Sequence, residues 1–139
     1  MKTAVFDTNV IVSGFLSPHG PPGLIVEWLR QGAIRAVLDG RVFEEYVEVL
    51  SRPELGLEKK NVALVLDLIR ENAIWPALGP DKMIHDLPDP DDAPFLELAR
   101  EAGVDLVTGN LKHFPERHSH GVKTVTPSQW VKEQSGQFV

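Results

Sequence analysis

The sequence predicts an α/β protein in which helices cover both faces of a parallel β-sheet. Four β-favouring runs alternate along the chain with segments whose apolar residues recur at helical spacing, and crossovers of this kind join parallel strands. The chain of 139 residues is also within the usual size of one domain, so we expect a single domain over residues 1–139. The four runs lie near residues 3–6, 35–38, 104–108 and 122–126.

In the first half of the chain, the apolar run 3–6 stops at Asp7, which predicts a buried strand with an acid at its carboxyl end. Residues 10–16 are compatible with a helix or a strand. The breaker-rich stretch 17–23, Ser-Pro-His-Gly-Pro-Pro-Gly, predicts a loop. Periodicity and stop signals then predict a helix over 24–30, a strand over 33–38, a helix over 41–50 and a helix from 57 or 58 to 72.

In the second half, a connection containing proline and glycine is expected over 75–81, and residues 83–85 suggest a short strand or an extended segment. Pro94 suits the first turn of a helix that ends at Gly103. The stretch 112–123 is irregular. The remaining predictions are a strand over 104–108, a last strand over 122–126 and a closing helix over 127–133.

Composition limits the chemistry that the chain can carry. The absence of cysteine excludes disulfides, thiolate nucleophiles and cysteine-bound zinc, so any metal must be held by oxygen or imidazole. The first residues fit neither a signal peptide nor a transmembrane helix, so we expect a cytoplasmic protein with no membrane partner. The net charge of −6 argues weakly against wrapping nucleic acid by bulk electrostatics, although a bound cation would cancel acids gathered in one pocket.

Acids and amides are expected to gather at one edge of the sheet. Right-handed crossovers bring the carboxyl ends of parallel strands together, and Asp7, Asp39 and Asn110 follow three of the predicted strands. The acids of 89–92 precede a helix that can face the same crevice. Carboxylates packed together repel one another unless a cation lies among them, and Mg²⁺ or Mn²⁺ prefers such oxygen ligands. This pattern suits hydrolysis of phosphodiesters by a metal-activated water.

Four segments, in order along the chain, resemble the motifs of PIN-domain proteins of the toxin type found in prokaryotic toxin-antitoxin pairs. They are 6–10 (Phe-Asp-Thr-Asn-Val), 45–53 (Glu-Tyr-Val-Glu-Val-Leu-Ser-Arg-Pro), 89–96 (Asp-Pro-Asp-Asp-Ala-Pro-Phe-Leu) and 107–110 (Val-Thr-Gly-Asn). The resemblance implies a ribonuclease on a parallel sheet of about five strands. It also implies RNA as the substrate, a cognate antitoxin as a partner, and a homodimer.

The resemblance also implies a set of site residues. Asp7, Glu45 and Asp92 fall on the acids that hold Mg²⁺ or Mn²⁺ in the family. For the helix over 41–50, periodicity alone leaves both Glu44 and Glu45 open, because they lie on the two flanks of the apolar stripe. The fourth acidic position falls on Asn110, which offers a neutral oxygen instead of a charge. We therefore favour one metal ion, or a second ion recruited only with substrate.

Side chains beside these acids have supporting roles in this interpretation. Thr8, Asn9 and Thr108 are candidates to orient the carboxylates or a water molecule. In the only locally basic stretch, Lys112, His113, Arg117 and Lys123 are candidates for a positive rim for RNA, although a short basic loop is more often ordinary surface. His113, His118 and His120 lack the helical spacing of a zinc site.

Two alternatives to a ribonuclease are considered. A haloacid-dehalogenase-like phosphatase also begins with an aspartate after the first strand, but it requires an acid two residues later, where this chain has Asn9. The second alternative is a catalytically weak or inactive PIN fold that acts as an RNA-binding or partner-binding module, and the loss of charge at Asn110 keeps it open. Each acid also has an ordinary interpretation as a turn residue, a solvated side chain or a complement to a helix dipole.

Overall fold

The computed structural model describes residues 2–77 and 83–136. In these ranges the strands are β1 (Lys2–Phe6), β2 (Ile34–Ala36), β3 (Leu106–Val107) and β4 (Thr124–Val125). The helices are α1 (Thr8–Leu16), α2 (Pro21–Gln31), α3 (Gly40–Leu50), α4 (Lys59–Asn72), α5 (Ala93–Ala102) and α6 (Pro127–Ser135). Short 3-10 turns cover Pro53–Leu55, Pro90–Asp92, Leu111–His113 and Glu116–His118. Most of the predicted connection over 75–81 lies outside the described residues.

The predicted α/β fold with a parallel sheet flanked by helices is confirmed. The described strands form a four-stranded parallel sheet in the order β2-β1-β3-β4. Beyond β2, a single parallel bridge joins Val37 to Ile74, where the amide of Ile74 donates to the carbonyl of Ala36 at 2.9 Å. Within the described residues, this bridge is the only pairing that could correspond to the fifth strand that the resemblance implies.

The core is built around β1, which lies inside the sheet and buries Ala4, Val5 and Phe6 completely. The buried indole of Trp130 on α6 packs edge-to-face on the Phe6 ring at 5.3 Å between centroids. A central strand buried on both sides carries apolar residues at consecutive positions, as parallel sheets do. The residue that follows this strand is consequently held by the core.

Several predicted bounds are corrected. Residues 10–16 belong to helix α1, and α2 begins at Pro21 instead of residue 24, because proline is well suited to the first turn of a helix. The predicted strands over 104–108 and 122–126 shorten to two residues each. Of the two alternatives for 83–85, a short strand and an extended segment, the strand does not form, and the amide of Ile84 donates instead to a buried glutamate, Glu97, at 2.8 Å. No helix in the described ranges is both long and apolar enough to cross a membrane.

Candidate active site

Asp7 lies at the carboxyl end of β1 and is only 6% exposed. Its amide donates to the carbonyl of Val107 on β3 at 2.9 Å, so the backbone at this point is part of the sheet. Its Oδ2 accepts a hydrogen bond of 2.7 Å from the hydroxyl of Thr108, which is fully buried. The side-chain amide of Asn9 donates a longer hydrogen bond of 3.4 Å, through Nδ2, to the same oxygen. Two neighbouring strand ends thus fix one carboxylate.

Glu45 is brought to this edge by its neighbour on α3. Tyr46 is completely buried, and its hydroxyl donates to the carbonyl oxygen of Phe6, the last residue of β1. This bond fastens α3 to the strand end. Glu45 then reaches the start of α1, where the hydroxyl of Thr8 donates to its Oε2, whereas Glu44 is exposed. Periodicity left Glu44 and Glu45 open, and it is Glu45 that faces Thr8, the residue next to Asp7.

Asp92 ends the 3-10 turn before α5 and is 9% exposed. Its carboxylate makes no capping hydrogen bond to α5 among the described residues, whereas Asp89 caps the 3-10 turn by accepting from the amide of Asp91 at 3.0 Å. Oδ2 of Asp92 is shielded from solvent. Nδ1 of His113 makes a charge contact with that oxygen at 3.0 Å, and no other described group donates to it. Capping therefore does not explain the position of Asp92.

The pKa values of both aspartates are raised. Burial raises the pKa of Asp7, and the hydrogen bond from Thr108 opposes the change. The pKa of Asp92 is raised to about 6, first by burial and then by the negative charges of Asp7 and Asp89, while His113 acts in the opposite direction. The charge of Asp7 thus acts on Asp92, and the charge of His113 acts on both carboxylates, so the two aspartates share one electrostatic environment. Such acids are typical of functional sites.

His113 is the site residue whose position the sequence did not indicate. The sequence makes it only a candidate for a basic rim, yet its ring lies between Asp92 and Asn110: Nδ1 is 3.0 Å from the carboxylate of Asp92, and Nε2 is 2.9 Å from Nδ2 of Asn110. An amide NH₂ group only donates, so with this amide orientation Nε2 accepts, and the proton of a neutral ring is on Nδ1, which faces Asp92. The signal in the sequence is the i, i+3 spacing from Asn110, because a 3-10 turn places such residues on one side.

Asp7 and Asp92, with the side chains that contact them, are called the acidic centre below. Asn110 is joined to this centre through its backbone. Its amide donates to the hydroxyl oxygen of Thr108 at 3.1 Å, and that hydroxyl in turn donates to Asp7. Asn110, the fourth predicted position, is therefore linked to Asp7 through the hydroxyl of Thr108 and to Asp92 through the ring of His113. At this corner of the site, an amide and an imidazole stand where the family resemblance implies a carboxylate.

Asp39, the acid after β2, has a structural role. It caps α3 by accepting from the amide of Val42 at 3.0 Å, and it pairs with Arg41 at 2.7 Å. Arg41 also pairs at 2.7 Å with Glu97, a carboxylate on α5 that is 2% exposed. Glu97 was not singled out from the sequence, because a glutamate in an amphipathic helix is ordinarily exposed. The strand edge thus has one set of acids in caps and ion pairs, and another set at the centre.

The predicted basic rim is smaller than the sequence suggests. Lys123 pairs with Glu133 at 3.0 Å. His118 and His120 contact the two carboxylate oxygens of Asp86 at 3.0 and 2.8 Å. Within residues 2–77 and 83–136, the remaining cations of this stretch, Lys112 and Arg117, have no ion pair. Both are exposed, on the 3-10 turns on either side of Phe114.

The donor chemistry of the centre fits a hard divalent cation. Asp7, Glu45 and Asp92 offer only oxygen, which Mg²⁺ and Mn²⁺ prefer. Burial leaves the charges of Asp7 and Asp92 poorly compensated, as their raised pKa values indicate, and a cation would compensate them. In the described part of the chain, however, no three carboxylate or imidazole side chains form a ready-made ligand group. The structure places Asp92 within the electrostatic influence of Asp7 and places Glu45 against Thr8, the residue next to Asp7. That all three acids hold one ion stays a prediction.

The fold and this centre define a class, α/β proteins that gather acids at the carboxyl edge of a parallel sheet. Within that class, residues 3–112 match the PIN domain family PIN_3, so the chain belongs to the PIN domain family. A Methanocaldococcus jannaschii protein described as uncharacterized protein MJ1680 is 23% identical over 139 residues, covering 93% of this chain and 89% of that protein. No solved structure matches the chain significantly.

Proposed function

We propose that the protein is a metal-dependent ribonuclease that hydrolyses RNA phosphodiester bonds with a water molecule. The observation that carries the proposal is the pair of buried aspartates, Asp7 and Asp92, whose charges interact at the carboxyl edge of the sheet. PIN domains are generally nucleases, which supports the same reaction class. A phosphodiester requires charge compensation and an activated water, and oxygen-rich sites provide both through a divalent ion.

In this proposal, Asp7, Glu45 and Asp92 hold Mg²⁺ or Mn²⁺, and Asn110 supplies a neutral oxygen or a water contact. When bound, the ion would lower the pKa of a water molecule and compensate charge on the phosphate. The residues of the chain orient the ligands: Thr108 holds one oxygen of Asp7, and Thr8 holds one oxygen of Glu45.

The wider role proposed is that of the toxin of a toxin-antitoxin pair in the cytoplasm. It rests on the motif resemblance, which also suggests a homodimer and a cognate antitoxin that restrains the nuclease. The second candidate function is an inactive PIN fold that binds RNA or a partner. The lack of a ready-made ligand group among the described residues, together with Asn110 at the fourth corner, favours this second candidate.

A cleavage assay separates the two candidates. We expect labelled single-stranded RNA to be degraded when Mg²⁺ or Mn²⁺ is added, and EDTA to abolish the reaction. Asp7→Asn should lower the rate by about 100-fold or more, because the loss of a ligand costs at least as much as the loss of its supports. The matched control is Asp39→Asn, also an aspartate after a parallel strand, whose asparagine still caps α3 and leaves the rate nearly unchanged.

Two results would reject the ribonuclease. Cleavage that persists in EDTA and in Asp7→Asn would come from a contaminant or from another mechanism. No cleavage with either ion, combined with RNA binding that weakens steeply with salt, would favour the binding module.

A further inference from the structure

A cavity of about 310 Å³ adjoins the acidic centre on the side of Asn9 and Asn110. Its volume is at the lower end of the range for small-ligand pockets. The cavity lies between α1, the start of α2, the turn after β3 and the start of α6. The residues that line it include Asn9, Val10, Ser13, Pro22, Asn110 and Pro127.

Two of the lining residues also belong to the acidic centre. Asn9 donates to Asp7 and accepts a hydrogen bond of 3.2 Å from the amide of Gly109, which lines the cavity. Asn110 contacts His113, which in turn lies beside Asp92. The cavity and the acids therefore share a wall made of two amide side chains. A molecule that places a phosphate at the acids would have its adjoining groups at this cavity.

The lining selects the chemistry of an occupant. None of the described residues that line the cavity is charged, so it suits neither a phosphate nor a metal ion. The apolar part of the lining consists of Val10, Pro22 and Pro127, and the partly exposed ring of Pro22 offers the surface that suits the face of a flat ring. The Ser13 hydroxyl and the Asn110 side-chain oxygen make no hydrogen bond within the described residues, and both can bond to polar atoms at the edge of a ring. A nucleobase has this combination of an apolar face and a polar edge.

We propose that this cavity is a nucleobase pocket, which holds the base of a nucleotide whose phosphate lies at the acidic centre. The inference rests on the proposed function, since it takes RNA as the substrate. It adds that Ser13 and Asn110 determine specificity by contacting the edge of one base, while Pro22 contacts its face. Cleavage would then depend on the identity of the base at one position of the RNA strand.

The pocket is tested with single-stranded hexaribonucleotides in which one base at a time is removed while the sugar-phosphate backbone is kept. Binding is measured by fluorescence anisotropy in Ca²⁺, which also takes oxygen ligands, and cleavage is measured separately in Mn²⁺. We expect base removal at one position to weaken binding about fivefold or more, the usual effect of losing a stacked base. Removal at the other positions should have a smaller effect.

Ser13→Leu fills the pocket from the exposed face of α1, where leucine is a good helix former. We expect it to remove the base-dependent difference while the melting temperature stays close to that of the unmodified protein. The matched control is Ser135→Leu, also an exposed serine, at the far end of α6 from Pro127. Ser135→Leu should keep the full difference. Ser13→Ala, which removes only the hydroxyl, should change the order of preference among the four bases.

The outcomes distinguish failure of the pocket from failure of the nuclease. RNA that is cleaved in Mn²⁺, yet bound equally with and without each base, would reject the pocket and leave the nuclease in place. A base-dependent difference that Ser13→Leu abolishes, without cleavage, would support the pocket and reject the nuclease. A difference that persists in Ser13→Leu would mean that the base lies elsewhere. If none of the hexamers binds, the pocket is rejected as well.

Discussion

At the residue scale, Asp7 and Asp92 are charged groups where a folded chain ordinarily avoids them. Burial disfavours the ionised form of a carboxyl group, and a second carboxylate nearby disfavours it further. Both effects act on Asp92, whereas Asp7 is partly compensated by the hydrogen bond from Thr108. Such a pair lowers the stability of the folded protein at neutral pH, and a bound cation would offset that loss.

Asp92→Asn should therefore stabilise the metal-free protein at pH 8. The pKa of Asp92 is about 6 in the folded protein against an ordinary value of 3.8, so folding favours the protonated form. The resulting penalty is absent below about pH 4 and grows as the pH rises through 6. We expect a gain of about 1–3 kcal/mol in the free energy of unfolding at pH 8, which vanishes by pH 4. Urea denaturation at several pH values measures it.

Asp91→Asn provides the control for this prediction. Asp91 is the exposed neighbour in the same 3-10 turn, and its replacement should change stability by less than about 0.5 kcal/mol at any of these pH values. Mn²⁺ should raise the melting temperature of the unmodified protein and of Asp91→Asn more than that of Asp92→Asn. A gain from Asp92→Asn that is equal at pH 4 and pH 8 would contradict an origin in the buried charge.

The acids could be read from the sequence more easily than their partners. Asp7 follows a recognisable buried strand, and Asp92 precedes a recognisable helix, so each has a local signal. The positions of His113 and Glu97 depend on which distant segment packs beside them. His113 meets Asp92 across the sheet edge, and Glu97 is buried because Arg41 and the amide of Ile84 reach it. Local patterns hold no information on such contacts.

At the scale of elements, α1 and α2 pack so closely that glycine is required at their contact. A Cβ atom on Gly14 would lie 2.4 Å from a methyl group of Val26 and 2.5 Å from the carbonyl oxygen of Pro22. A Cβ atom on Gly23 would lie 2.2 Å from the carbonyl oxygen of Pro18. These distances are shorter than any real contact of a Cβ atom. The pairing fixes α1, the helix that directly follows Asp7.

Gly23→Ala should accordingly destabilise the protein by about 2–4 kcal/mol, because the backbone at Pro18 must shift to admit the methyl group. Gly40→Ala is the matched control: no atom lies within 4 Å of a Cβ atom there, and alanine in the first turn of α3 should give a gain of up to about 1 kcal/mol. Chemical denaturation followed by circular dichroism compares the two. Equal stability of the two variants would mean that Gly23 does not pack this closely against the backbone of Pro18.

The same segment explains why element bounds were harder to predict than element types. In residues 17–23, five of the seven residues are glycine or proline, and this composition predicted a loop throughout. In the structure only 17–20 form the loop, since Pro21 and Pro22 begin α2 and Gly23 is its contact residue. A glycine selected for close packing and a glycine selected for a turn look identical in a sequence. The tertiary contact distinguishes them.

At the scale of the whole molecule, an acidic protein must bind a polyanion if it cuts RNA. The net charge of −6 disfavours association. Half of the six basic side chains of the stretch 112–123 are already engaged, because Lys123 pairs with Glu133 and the rings of His118 and His120 contact Asp86. Lys112 and Arg117 are then the cations of that stretch that have no ion pair within the described residues. Lys112 lies in the same 3-10 turn as His113, and Arg117 lies in the next turn. His113 in turn lies 3.0 Å from the carboxylate of Asp92.

Replacing both cations, Lys112→Gln with Arg117→Gln, should weaken binding of single-stranded RNA and make it less sensitive to salt. Each phosphate contact to a single strand contributes about 0.7 to the slope of log K against log salt concentration, so the slope should fall by about 1.4. Fluorescence anisotropy at salt concentrations from about 50 to 200 mM measures the slope. The melting temperature should be unchanged, since both side chains are exposed.

The control for this pair must change the net charge equally at another place. Lys59→Gln with Lys60→Gln also removes two exposed cations, at the start of α4, the helix that contacts β2 at the opposite edge of the sheet from β4. If bulk charge governed RNA binding, both double variants would weaken it to the same degree. If the two turns hold the RNA backbone beside the acids, only the replacement of Lys112 and Arg117 lowers the slope, because counterions are released only where phosphates are contacted.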